Sequence, residues 1–80
     1  MIHEFTLVLA DAPVSLEQCS ALYEAGCDDG TISTSQGVTR IDFAREAANL
    51  EEAIRTAIAN VNRAGLQVTR AEISADSLAN

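Results

Sequence analysis

Two stretches of this chain end in the same way, and that repetition restricts the fold more than any other feature. Ala25-Gly26-Cys27 and Ala64-Gly65-Leu66 each follow a run of apolar residues at helical spacing. Each run opens on a side chain able to cap free N–H groups. Ser15 stands three places before Gln18, the pattern of a capping box, and Asn49 stands three before Glu52. A glycine just past a helix takes the left-handed conformation that costs other residues strain, and a hydrophobe after it packs back onto the last turn. The first helix is therefore expected from Ser15 to Gly26, with Leu16, Cys19, Leu22 and Tyr23 on one face. The second runs from Asn49 to Gly65, with Leu50, Ala53, Ile54, Ala57, Ile58 and Val61 at the spacing of a single apolar stripe.

The segments around these helices read as strands. In residues 4–10, Phe5, Leu7 and Leu9 alternate with Thr6, Val8 and Ala10, and Ala12-Pro13 breaks the run. Between the helices lies a hairpin. A two-residue turn at Gln36-Gly37 sets Ile32 opposite Ile41 and Gly30 opposite Phe43, while Ser33 meets Arg40 and Thr31 meets Asp42. A slip of one residue would send Ile32 and Ile41 to opposite faces, so the apolar pattern specifies the register. Residues 66–73 form the last strand. There Leu66 and Val68 point one way while Ala71 and Ile73 point the other, which a bulge near Thr69-Arg70 would reconcile.

The resulting order is βαββαβ in one domain over residues 1–73, with 74–80 as a tail. Right-handed crossovers place both helices on one face of a four-stranded antiparallel sheet, giving an α+β, ferredoxin-like two-layer sandwich. The expected core joins Phe5, Leu7, Leu9, Ile32, Ile41 and Phe43 to Leu16, Leu22, Leu50, Ile54, Ile58 and Val61. The open face carries Thr6, Val8, Ser33, Val38, Arg40 and Asp42.

Charge then narrows the function classes. Twelve Asp and Glu stand against five Arg, a net charge of −7. That balance repels phosphate backbones and anionic lipid, so neither nucleic acid nor membrane is an expected partner. With three aromatic residues in the chain, the open sheet face lacks the stacking platform of RNA-binding sheets. The first residues lack a basic signal-peptide start, and a cytoplasmic setting with reduced Cys19 and Cys27 is expected.

Residues 23–30, YEAGCDDG, place a thiol beside two carboxylates and look at first like a reactive site. Helix punctuation explains them instead. Cys27 stands where the second helix has Leu66, facing Leu22 as Leu66 faces Val61, and a thiol serves well as a small hydrophobe. Cys19 precedes Cys27 by eight positions, which is no zinc spacing, and Asp28 and Asp29 raise a neighbouring thiol's pKa. Glycines 26, 30, 37 and 65 serve caps, a turn and a strand start, and build no phosphate loop. No catalytic residue, metal ligand or cofactor is expected. Val8, Val38, Arg40, Asp42 and Arg45 are the candidate interface or ligand face.

Three segments, LYEAGCDDGTIS (22–33), GVTRIDFAREA (37–47) and LEEAIRTAIANVNRAG (50–65), resemble the N-terminal region of a family of uncharacterised bacterial proteins. Many members of that family continue into a helix-turn-helix and are described as DNA-binding or regulatory. The resemblance covers about residues 5–73 and brings no catalytic residue with it. This chain reaches Asn80 where the second module would begin, so a DNA-reading role is not expected of these residues. The resemblance implies a non-catalytic oligomerisation or regulatory domain; exposed Val8 and Val38 and the sheet's edge strands make a homodimer through the open face or an edge the expected state. A small-molecule effector sensor is the alternative, and a thiol or metal enzyme centred on Cys27 a more distant one.

Overall fold

The computed structural model describes residues 1–10 and 14–73. The expected proline break at Ala12-Pro13 and the tail over 74–80 lie outside the described residues. Six elements follow in the order β1 (Ile2–Leu9), α1 (Leu16–Glu24), β2 (Gly30–Ser35), β3 (Val38–Glu46), α2 (Leu50–Arg63) and β4 (Val68–Glu72). The strands form one antiparallel sheet in the order β2-β3-β1-β4. This is the α+β, ferredoxin-like βαββαβ sandwich that the alternation and the caps predict.

Local chemistry sets the element ends. Ser15 and Gln18 form the reciprocal capping box, with the Ser15 Oγ accepting from Gln18 N–H at 3.1 Å and the Gln18 Oε1 accepting from Ser15 N–H at 2.8 Å. Asn49 Oδ1 accepts from Glu52 N–H at 2.8 Å. Both helices close with the same pair of bonds. Gly26 N–H donates to Tyr23 and Cys27 N–H to Leu22; Gly65 N–H donates to Asn62 and Leu66 N–H to Val61. That is the Schellman arrangement, and it turns Cys27 and Leu66 inward to 3% and 2% exposure. In the hairpin, Gln36 and Gly37 take φ of 53° and 76°, the two positive angles of a type I′ turn, and the strands pair in the expected register. Along β4, Leu9 pairs with Val68 and Val8 with Arg70, leaving Thr69 as the bulged residue.

The core lies between the sheet and the helices. Phe5, Leu7, Leu9, Ile41 and Phe43 meet Leu22, Cys27, Ala53, Ala57, Val61 and Leu66. Five residues expected in it lie outside the buried cluster, among them Ile32, which is half-buried on the edge strand β2. Leu16 is 87% exposed. It precedes Leu22 by six positions, which at 3.6 residues per turn carries it about 120° around the helix and off the buried stripe. Leu50, Ile54 and Ile58 are half-buried and pack only against the core's margin. Alanines 53 and 57 occupy the line where α2 meets the sheet, and the larger side chains stand one row to the side.

Candidate functional site

Four of the five candidate residues share the open face of the sheet. Val8 pairs with Arg40, Thr6 with Asp42 and Ser35 with Val38, so Val8, Val38, Arg40 and Asp42 all point away from the helices. The rows of this face carry alternating charge. Asp42, Thr6 and Glu72 make one row across β3, β1 and β4, and Arg40, Val8 and Arg70 make the next. Thr6 Oγ1 donates to Asp42 at 2.5 Å. Glu72 lies 3.1 Å from Arg70 Nε and 3.8 Å from Arg40 Nε.

That arrangement corrects one expectation. Val8, taken as an exposed apolar contact, is 3% exposed. Its cross-strand neighbours are Arg40 and Arg70, whose heads both lie near Glu72, so two long side chains flank the valine. The face offers mainly polar and ion-paired groups, with half-buried Val38 near one end and exposed Ile2 near the other as its larger apolar members.

Arg45 stands on the other side of the sheet. It shares the parity of Ile41 and Phe43, is 8% exposed, and does not join Arg40 and Asp42. Every N–H of its guanidinium is engaged. Nε and Nη2 reach the two carboxylate oxygens of Asp29 at 2.8 and 2.9 Å, and Nη2 also reaches the Gly26 carbonyl at 2.8 Å. Nη1 donates to Asn60 Oδ1 at 2.8 Å and to Thr56 Oγ1 at 3.2 Å. Its central carbon Cζ lies 5.1 Å from the centre of the Phe43 ring, which in turn stacks on Phe5 at 5.2 Å. One side chain thus ties the end of α1, the start of β2, strand β3 and helix α2 together. The bonds from Asp29 raise the arginine's pKa further, and the same bonds lower the Asp29 carboxyl below its ordinary value.

The segment over residues 23–30 belongs to this joint. Gly26 supplies a carbonyl and Asp29 a carboxylate to Arg45, while Cys27 turns into the core. Burial is the largest influence on its thiol and raises the pKa; Arg45 opposes this and Asp29 and Asp28 reinforce it. A protonated, enclosed sulfur is a poor nucleophile. Among the described residues, no group of three or more His, Cys, Asp or Glu is placed to hold a metal ion. No helix of the described residues is long and apolar enough to cross a membrane.

An apolar groove lies at the β4 edge, built largely from side chains that the helical stripe had assigned to the core. Leu50, Ile54 and Ile58 of α2 overhang the edge strand and, with Ile73, line a groove rimmed by Glu51 and Arg55. The groove's neighbour along the same edge is lined by Ile58, Asn62, Leu66 and Val68. The signal was present in the helix itself, since a stripe with alanine in one row and isoleucine in the next has its bulk on one flank. Compared with protein-family models, curated proteins and solved structures, the chain matches none.

Proposed function

We propose that this domain is a non-catalytic assembly module that associates with a second copy of itself and serves as the regulatory half of a bacterial regulator. The observation that carries the assembly role is the placement of α2's bulk. A helix that buries Ala53 and Ala57 and leaves Ile54 and Ile58 half-exposed beside an edge strand has apolar surface to cover. A chain of this length buries only about 60% of its unfolded surface, so covering more of it is a direct gain in stability. The other prominent groups already have structural duties: Arg45 braces four elements, Cys27 fills the core, and Glu72 pairs two arginines on the open face. The regulatory role rests on the resemblance of residues 22–33, 37–47 and 50–65 to the bacterial family described above.

Light scattering coupled to size exclusion tests the assembly role. A mass that rises toward the dimer with concentration is the expected result. A monomer that persists at high micromolar concentration would remove the proposal.

A further inference from the structure

We infer that the β4 edge pairs with β4 of a second copy, antiparallel about a twofold axis at Ala71, so that two four-stranded sheets become one. This rests on the self-association proposed above and specifies its surface. Backbone groups along an antiparallel strand address the two neighbouring strands alternately. Ala47 N–H donates to the Met1 carbonyl on the β3 side of β1, and Ala10 N–H donates to the Gln67 carbonyl on the β4 side. Odd residues of β1 therefore serve β3, and even residues serve β4. Thr6 and Val8 exchange bonds with Glu72 and Arg70, which leaves Ala71 with its N–H and C=O directed outward. No strand among the described residues lies beyond β4 to receive them.

Charge selects the register. Centred on Ala71, the two copies of that residue exchange both backbone bonds, and Arg70 of each lies opposite Glu72 of the other. Centring on Arg70 sets Arg70 against itself, and centring on Glu72 sets two carboxylates together; like charges directly opposite are destabilising. Of these three centres, Ala71 alone is self-complementary.

The helix layer fits the same pairing. Helix α2 packs against both β1 and β4, so its axis runs over the gap between them. With strands about 4.8 Å apart, the two α2 helices then lie about 10 Å from each other across the new pair. That is the separation of packed helices, about 8–10 Å. The overhanging Leu50, Ile54 and Ile58 face their counterparts above a floor of small Ala71 side chains.

Three variants decide it, each read by light scattering and checked for fold by circular dichroism. Ala71→Pro removes only an outward N–H, a change that edge strands accept, and should give a folded monomer. Arg70→Glu should weaken association by at least roughly tenfold, and Arg70→Glu with Glu72→Arg should restore it. If Ala71→Pro unfolds, the charge pair still tests the register. A wild-type dimer that survives Ala71→Pro, or a double variant as weak as Arg70→Glu alone, overturns the β4 pairing while self-association stands. A wild-type chain that stays monomeric overturns both.

Discussion

Asp29, in the turn before β2, and Arg45, on β3, meet in a two-pronged salt bridge of 2.8 and 2.9 Å, with the arginine's remaining hydrogens bound to Gly26, Thr56 and Asn60. Such a guanidinium cannot be exchanged for an ammonium. Lysine offers three donors around a point and cannot span a carboxylate on one side and Asn60 on the other. Arg45→Lys should therefore cost about 2–3 kcal/mol, the loss expected when buried acceptors are left without partners. Urea unfolding measures it. A loss within experimental error of zero would mean that Arg45 is not the brace its bonds suggest.

The same pair gives the fold an acid limit. Hydrogen bonds from Arg45 are the leading reason that the Asp29 carboxyl titrates below its ordinary value. A carboxyl whose pKa falls on folding contributes stability that is complete above its unfolded pKa, about 3.9, and is lost as pH drops through the folded value. Melting temperature should thus hold from neutrality down to about pH 5 on this group's account and decline below about pH 4. Asp29→Asn should be less stable at neutral pH and show a shallower decline in acid. Equal slopes for the two proteins below that point would assign the acid loss to other carboxylates.

Arg45 also shows why some of this molecule could be read in advance and some could not. The hairpin register and both helix ends follow from rules that act within a few residues, and the structure matches them bond for bond. Arg45 lies on β3 at the same parity as Ile41 and Phe43, so strand alternation alone points it at the helices. Its charge argued for solvent, and the charge argument gave the wrong face. What the alternation cannot supply is the partner set, because Asp29 and Asn60 arrive from two other elements. Val8 fails in the complementary way. Its parity is right, but its low exposure goes with the long side chains of Arg40 and Arg70, which flank it from two other strands. Leu16 was a matter of counting, since a separation of six is off the stripe of any helix.

The two thiols should separate cleanly in reactivity. Cys27 is 3% exposed within the core, and its pKa is raised chiefly by burial. Cys19 is half-buried on α1. A thiol reagent at mildly alkaline pH should modify Cys19 first, with Cys27 reacting only once denaturant opens the core. Because folding raises the Cys27 pKa, its stabilising effect is complete below the unfolded thiol's pKa and fades as pH rises through the folded value. Mass spectrometry after partial labelling reads the order directly. Prompt modification of Cys27 in the native protein would contradict the packing around it.

Gly30 offers a test in which sterics act without backbone strain. Its φ is not among the positive angles of the chain, so an alanine would meet no conformational penalty there. Its Cβ would, however, come within 2.6 Å of Ile41 Cγ2 and 3.1 Å of the Phe43 ring. Neither neighbour can retreat far, because Ile41 and Phe43 are both core residues of the central strand β3. Gly30→Ala should cost about 1–3 kcal/mol, the usual penalty for overfilling a packed site. Ile41→Ala should cost about 2–5 kcal/mol through the cavity it leaves. The two changes are complementary, since the added methyl enters the space the isoleucine vacates. The double variant should therefore be more stable than the sum of the single losses by about 1 kcal/mol or more, as neighbouring sites show when they share a cavity. Strict additivity in a denaturation series would place Gly30 out of contact with Ile41 and move the start of β2 away from the core.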